Sequence, residues 1–124
     1  MSEVDKLILL YPEIFKDFRR PMSVGNGWFS ILEHLCVCLS MHSKQNNLDF
    51  SFIKIYNKFG TLVIDRRGDD SFSNMVVRYA ERLSFRTCEQ CGKRGHIHSS
   101  DGTQWGKIAT LCSDDALRIL YKRL

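Results

Sequence analysis

Three cysteines near the end of the chain have the spacing of a metal site. Cys88 and Cys91 form a C-x2-C pair followed by Gly92, and Cys112 comes after a Thr-Leu dipeptide. Two thiolates separated by two residues can wrap one tetrahedral ion such as zinc, with Zn–S distances of about 2.3 Å. The glycine permits the tight backbone turn that follows such a knuckle. The pattern predicts a structural zinc ion held by three thiolates and one further ligand.

The fourth ligand is open between a carboxylate and two imidazoles. Asp115 lies three residues after Cys112, where the last ligand of a zinc finger normally falls, but structural zinc sites prefer Cys and His. His96 and His98 alternate with Ile97, so on a strand they share one face and either could turn back to the metal. We favour His96 or His98 over Asp115. The competing interpretation is that the histidines are solvated and that Asp115 only complements the helix dipole, with no metal bound.

The residues around the cysteines predict a knuckle, a hairpin and a helix. The stretch 92–106 is long enough for a short hairpin, and Ser113 to Asp115 can begin a helix that carries Arg118 near its end, as the helix dipole prefers. A ligand at a helix N-terminus after a knuckle and a hairpin is the layout of a treble-clef finger. We therefore expect a helix and hairpin core over residues 1–86 and a zinc-finger-like subdomain over residues 87–124.

Two helical patterns precede the hairpin. Ser2 and Asp5 resemble a capping box for a helix that reaches about Leu10 and continues after Pro12. The clearest helix is WFSILEHLCVCLSMH, for which Asn26 is a plausible N-cap. Its apolar residues recur at helical spacing, at Trp28, Leu32, Leu35 and Leu39.

A hairpin and a third helix complete the core. Residues 49–65 read as two strands around the turn from Asn57 to Gly60. The helix that follows is capped by Asp70 or Ser71. Its apolar stripe is Phe72, Val76, Tyr79 and Leu83, and its solvent-exposed face is Arg78, Glu81 and Arg82. The predicted fold class is α+β, with N-terminal helices packed on a β-hairpin, a further helix and a C-terminal treble-clef-like zinc finger.

Composition indicates the class of protein and its cellular compartment more than its function. The chain has 124 residues, 44% of them hydrophobic, which suffices for a real core, and a net charge of +4 spread along its length. Such a charge permits an acidic partner without requiring one. Acidic residues precede a short apolar run at the N-terminus, unlike a signal peptide. We expect a cytoplasmic protein without a membrane span, whose five cysteines stay reduced.

Few residues suggest a catalytic site, whereas some suggest a site that binds nucleic acid. There is no Gly-rich phosphate loop, nucleophile motif or H-E-x-x-H, so we expect no enzyme. A metal-dependent enzyme remains the least favoured alternative. Basic residues around the hairpin turn and the knuckle, with Tyr56, Phe59 and Trp105 nearby, would suit nucleic acid. The competing interpretation is that these charges are solvated and that Phe59 and Trp105 belong to the core.

Several motifs together carry a resemblance. They are Gly27-Trp28-Phe29, Lys58-Phe59-Gly60-Thr61-Leu62, Thr87-Cys88-Glu89, Cys91-Gly92, Trp105 and Thr110-Leu111-Cys112. Over roughly residues 25–117 the chain resembles a family of small, largely uncharacterised phage, prophage and bacterial accessory proteins. The family pattern carries a His where this chain has Asp115. The resemblance implies a bacterial cell or a phage-infected host, and no established activity.

Proteins of that setting suggest a role. Small non-enzymatic proteins there often bind and block another protein, as immunity proteins or anti-defence inhibitors, an inference from setting alone. We therefore expect a protein that binds and inhibits a protein partner, with a zinc-finger nucleic-acid-binding module as the alternative. Tyr and Arg are enriched at the anchors of protein interfaces. The candidate anchors at predicted turns are Tyr56, Arg66, Arg67 and Arg94.

Overall fold

The computed structural model describes residues 2–124. These residues contain four α-helices and two small antiparallel sheets. The α+β class is confirmed. No helix among these residues has the length and apolar content to cross a membrane. In chain order the elements are α1 (Glu3–Leu10), a 3-10 turn (Asn26–Trp28), α2 (Phe29–Gln45), β1 (Ser51–Lys58), β2 (Thr61–Arg67), α3 (Ser71–Ser84), β3 (His96–Ser99), β4 (Ile108–Leu111), α4 (Ser113–Arg118) and β5 (Lys122–Arg123).

The main core lies between α2, α3 and the hairpin of β1 and β2. Trp28 and Leu39, at the two ends of the α2 stripe, are fully buried, as are Phe52 and Ile55 of β1. The predicted apolar spacing of α2 therefore faces the sheet. The predicted N-cap does not form, because Asn26 begins the 3-10 turn and no side chain caps it.

The hairpin closes through a two-residue turn. Lys58 pairs with Thr61, so Phe59 and Gly60 are the central residues, with φ of 54° and 81°. Positive φ at both positions is the requirement of a type I′ turn, whose twist matches that of the strands. A glycine satisfies this without strain, whereas a phenylalanine in the left-handed region is an outlier.

The segment after α1 departs from the helix expected of it. The capping box of Ser2 and Asp5 forms as predicted. Residues 12–17 form turns instead of a second helix. The backbone of this segment and of the residues just after it pairs with β1, since Phe52 N donates to Ile14 O at 2.8 Å and Arg19 N donates to Ile53 O at 2.8 Å. Pairing along an otherwise open strand edge competes with the local helical pattern and wins here.

Helix α3 begins as predicted but packs through another face. Asp70 caps it in a reciprocal box with Ser73. The residues that enter the core are Val77 and Ala80, whereas Tyr79 of the predicted stripe is 63% exposed. Of the predicted stripe, Val76 and Leu83 are half-buried and pack against the core, whereas Phe72 and Tyr79 are exposed. The stripe therefore serves only in part as the core-facing side of the helix.

The C-terminal sheet has the strand order β4-β3-β5 and a small core of its own. Cys88, Leu111, Cys112 and Ala116 are buried together, apart from the main core. The two regions touch at Gly27, where an added Cβ would lie 2.1 Å from Cys88 O and 2.6 Å from Gly92 N. Only a glycine lets the backbone of residues 88–92 pack this closely on the start of α2. The predicted domain boundary after residue 86 stays a prediction.

Candidate metal centre

Three sulfurs and one carboxylate converge at the contact between the knuckle and α4. The ligand atoms of Cys88, Cys91, Cys112 and Asp115 all lie within 4.8 Å of one another. Cys91 Sγ is 3.6 Å from Cys112 Sγ, and Asp115 Oδ2 is 3.2 Å from Cys88 Sγ and 3.3 Å from Cys112 Sγ. The sequence places these residues up to 27 positions apart, so the fold creates the cluster.

The spacing of these atoms fits one small tetrahedral ion. With bonds of about 2.3 Å to sulfur and 2.0 Å to oxygen, a tetrahedron places neighbouring sulfurs about 3.8 Å apart and a sulfur and an oxygen about 3.5 Å apart. The Cys91–Cys112 distance and the two distances to Asp115 Oδ2 fall a few tenths of an ångström below these values. These three distances are compatible with one metal ion, and the remaining distances among the four ligand atoms are all within 4.8 Å.

The start of α4 explains why Cys112 and Asp115 meet. Cys112 is the N-cap of the helix, and its sulfur accepts a hydrogen bond from Asp115 N at 3.4 Å. In a capping box the side chain at the third helical position reaches back toward the N-cap. Asp115 occupies that position, so ordinary helix-start geometry delivers its carboxylate to the sulfur.

The knuckle is shaped by its own hydrogen bonds and by the main core. Gly92 N donates to Cys88 O at 2.9 Å, and Gly92 has a φ of 82°. Glu89 anchors the loop, since its backbone O accepts from Gly27 N at 2.6 Å and its carboxylate accepts from Gly25 N at 3.0 Å. Trp28 Nε1 donates to Thr87 O at 2.9 Å. The knuckle is thus fixed on the start of α2.

The electrostatics of the cluster keep the proton on Cys91 and the negative charge on Asp115. The three thiols, Cys91 first, donate to Asp115 and lower the pKa of its carboxyl. The Lys93 backbone N–H favours the thiolate of Cys91. Desolvation and the neighbouring Asp115, Cys112 and Cys88 outweigh it and raise the pKa of Cys91 to about 12. Without an ion the Cys91 thiol therefore stays protonated at neutral pH, and a metal that binds there must displace its proton.

Arg118 holds the carboxylate from its far side. Its Nη2 donates to Asp115 Oδ1 at 2.8 Å and to Gln90 Oε1 at 2.9 Å. Oδ1 is therefore engaged, while Oδ2 faces the sulfurs. From the sequence, Arg118 was expected only to complement the helix dipole. Its position three residues after Asp115 is the signal for this contact, because such residues are neighbours on a helix.

Neither histidine joins the cluster, which corrects our preference for His96 or His98 as the fourth ligand. His98 is buried, and its Nδ1 lies 2.7 Å from His96 O. His96 Nδ1 lies 3.3 Å from Arg123 Nη2, and that guanidinium lowers the pKa of His96. Both side chains are thus engaged along β3 and β5. Among the described residues, Asp115 is the one oxygen or nitrogen ligand beside the three thiols.

Two of the four predicted partner-binding residues have intramolecular partners. Arg66 donates to Asp69 Oδ2 at 3.2 Å and to Ile64 O at 2.9 Å. Arg67 pairs with Asp17 and Asp49. Tyr56 is half-buried, with Lys54 Nζ 5.2 Å from the centre of its ring. Arg94 is exposed beside the knuckle. The fold therefore leaves Arg94 as the freest of the four.

An apolar groove between α2 and α3 was missed by the sequence analysis. Its volume is about 510 Å³. Met75 and Tyr79, on one wall, are 60% and 63% exposed. The signal was present in the strong apolar stripe of α3, but helical periodicity does not say whether a stripe meets the core or the solvent. The walls are completed by Ser30, Ile31, His34, Leu35, Cys38, Val76, Ala80 and Leu83.

Comparison with family models, with curated protein sequences and with solved structures finds no significant match to this chain.

Proposed function

We propose that this chain is a non-enzymatic interaction protein that binds and inhibits a protein partner through the groove between α2 and α3. The single observation that carries the proposal is the exposed apolar side of α3, formed by Phe72, Met75 and Tyr79. Monomeric proteins rarely leave a contiguous apolar surface in water without a use for it. The resemblance to phage and bacterial accessory proteins supports an immunity or anti-defence role.

The shape and composition of the groove favour an amphipathic helix as the occupant. Two helices form its walls, and the exposed residues Phe72, Met75 and Tyr79 follow one another at helical spacing along α3. Grooves of this kind bind a helix through anchors at i, i+3, i+4 and i+7. Methionine at the middle of the wall suits such contacts, because its flexible side chain adapts to the anchor.

The surface of α3 next to the groove, which we call its rim, adds a charge requirement, because Arg78 and Arg82 line a second surface pocket together with Met75 and Tyr79. Arg78 and Arg82 lie one turn apart on α3 and are exposed. Neither takes part in an ion pair among the described residues. The nearby carboxylate of Glu81 already accepts from Ile64 N at 3.0 Å. A partner helix with acidic residues beside its apolar face would therefore complement this rim.

The test begins with capture of the partner from a bacterial or phage-infected lysate and continues with variants of the captured complex. Tyr79→Glu and Met75→Glu are expected to abolish binding, because each places a charge in the groove. Leu9→Glu is the matched control, since Leu9 is 64% exposed and lies outside the groove. Arg78→Glu is expected to weaken binding less and to reduce its dependence on salt.

Titration against the activity of the partner tests inhibition. Inhibition that saturates near one-to-one, and that Tyr79→Glu removes, supports the proposal. Time-dependent inactivation at substoichiometric protein would point to an enzyme instead. A partner that binds Tyr79→Glu as tightly as the native chain would show that the groove is not the interface.

We further propose that the Cys88, Cys91, Cys112 and Asp115 cluster holds one structural zinc ion within a treble-clef-type finger. Thiolates favour zinc over magnesium or calcium, and four protein ligands leave no open position for catalysis. The knuckle, the β3–β4 hairpin and the ligands at the start of α4 follow each other in the treble-clef order. The ion would brace the surface without taking part in a reaction.

Elemental analysis of chelator-free protein tests the identity of the ion, with one zinc per chain expected. Asp115→Ala is expected to lose stoichiometric zinc, whereas His96→Ala and His98→Ala are expected to keep it. Retention of zinc by Asp115→Ala together with its loss in either histidine variant would restore an imidazole as the fourth ligand.

A further inference from the structure

Two aromatic side chains stand in water beside each other at the junction of the hairpin turn and the C-terminal sheet. Phe59 is 74% exposed and Trp105 is 85% exposed. Together with Tyr121 and Lys107 they line an open cavity of about 490 Å³. We name this surface, formed by Phe59, Trp105, Tyr121, Lys58 and Lys107, the aromatic platform. It is distinct from the groove and from the metal centre.

The backbone presents Phe59 at an energetic disadvantage. Its φ of 54° places a bulky residue in the left-handed region, where asparagine would be the ordinary choice before Gly60. Burial does not explain this choice, because most of the ring is exposed. Strained residues persist where the surrounding structure fixes them. Here Asn57 Oδ1 accepts from Gly60 N at 2.9 Å, and Thr110 Oγ1 donates to Gly60 O at 2.7 Å.

The loop that carries Trp105 is held in a similar way. Ser99 Oγ donates to Thr103 O at 2.6 Å, and Asp101 accepts from the backbone N and the hydroxyl of Thr103. Trp105 N donates to Thr103 Oγ1 at 3.2 Å. These bonds order the loop while its indole remains outside. They also occupy the Asp101 carboxylate, the one acidic group of the loop.

The charges around the platform are basic and unpaired. Lys58 flanks Phe59, Lys107 lies in the cavity wall, and Lys122 packs beside Gly102. None of the three takes part in an ion pair among the described residues. The cluster thus differs from Arg66 and Arg67, whose charges are satisfied internally.

We infer that the aromatic platform binds single-stranded nucleic acid by stacking unpaired bases on Phe59 and Trp105, while Lys58 and Lys107 contact phosphates. Exposed aromatic faces beside a basic groove are the elements by which single strands are bound without sequence readout. A protein partner is the less favoured occupant, because lysines outnumber the aliphatic side chains here. The inference is independent of the proposed inhibitor role.

Tryptophan emission provides a direct assay. Trp105 is exposed and Trp28 is fully buried, so a ligand at the platform quenches one signal and leaves the other as an internal reference. The probes are a 12-nucleotide single-stranded DNA, the RNA of the same sequence, the corresponding DNA duplex and an abasic oligomer of equal length. We expect quenching and binding by both single strands, with much weaker binding of the duplex and the abasic oligomer.

Variants separate stacking from charge and from folding. Phe59→Asn suits the turn, so it removes the ring without disturbing the hairpin, and it is expected to weaken single-strand binding about five- to hundredfold. Trp105→Ala, followed by anisotropy of a labelled strand, is expected to do the same. Lys107→Ala is expected to reduce the slope of log affinity against log salt by about 0.7. Tyr79→Glu, the groove variant, is the control and is expected to bind normally.

Three results would overturn the inference. One is equal affinity for the abasic oligomer, which would reduce the platform to a patch of positive charge. Another is full affinity in both Phe59→Asn and Trp105→Ala. The third is crosslinking of a partner protein to position 105 of this chain, together with no binding of any of the oligonucleotides. A preference for RNA over DNA would support stacking and add a contact to the 2′-hydroxyl.

Discussion

Replacement of Phe59 by asparagine should leave the stability of the fold almost unchanged. Two opposing contributions set the magnitude. The ring is 74% exposed. About a quarter of a side chain of roughly 200 Å² is therefore buried, which stabilises the fold by at most about 1.3 kcal/mol. The left-handed backbone costs about 1–2 kcal/mol in a residue other than glycine or asparagine. Loss of the first term and relief of the second nearly cancel, so the free energy of unfolding should change by less than about 1 kcal/mol.

Urea denaturation with saturating zinc measures the change, provided that the m-value of the variant matches that of the native chain. Phe52→Ala is the comparison, because Phe52 is fully buried in β1. Removal of a buried phenylalanine ring costs about 3–5 kcal/mol. A loss of more than about 2 kcal/mol in Phe59→Asn would refute the reasoning. It would mean that the ring supports the core and that its exposure has no functional cause.

Three further predictions concern the metal centre and α3. Chelation should lower the Tm of the native chain, because zinc at 1,000 times its Kd stabilises the fold by about 4 kcal/mol; an unchanged Tm in EDTA would exclude a structural ion. Arg118→Ala should weaken zinc binding about 10–100-fold in a competition titration, since Asp115 loses the group that orients it, whereas Arg123→Ala should not. A hydrogen bond from Ser73 N and the nearby His42 lower the pKa of Asp70 to about 2. Its contribution to stability is therefore present above about pH 4 and is lost as the pH falls toward 2, so Tm should fall less over this range in Asp70→Asn, a variant that keeps the cap.

The metal centre shows what a spacing pattern can and cannot predict. The C-x2-C pair and Cys112 were identified from the sequence, because a knuckle is a local structure with a local signal. The fourth member of the cluster, Asp115, ranked below His96 and His98 in the sequence analysis, because structural zinc sites generally prefer imidazole to carboxylate. The position of Asp115 brings it into the cluster, because Asp115 lies three residues after the N-cap Cys112, as in a capping box. The start of α4 therefore places its carboxylate beside the Cys112 sulfur. His96 and His98 do share a strand, but contacts to β3 and β5 engage their rings.

The core was predictable where the spacing of the apolar residues allowed only one interpretation of which face is buried. The α2 stripe and the β1–β2 hairpin each have one buried face, and both formed as expected. Residues 12–17 were not predictable in the same way, because their turns depend on hydrogen bonds to β1 across some 35 positions of sequence. The local pattern of residue types contains no information about such a long-range hydrogen bond.

Two departures from local rules fall at the two surfaces proposed here to bind ligands. Helix α3 exposes three apolar side chains, Phe72, Met75 and Tyr79, that the core does not use. The hairpin turn contains Phe59, whose positive φ is unfavourable and whose ring is mostly exposed. A sequence that specifies one structure is expected to agree with local rules except where function opposes them. Both exceptions are exposed, apolar and bordered by arginines or lysines without ion pairs. Two defects of packing would not be expected to share that arrangement. Their coincidence at the groove and the aromatic platform is therefore an argument that each surface is complete only with a bound partner.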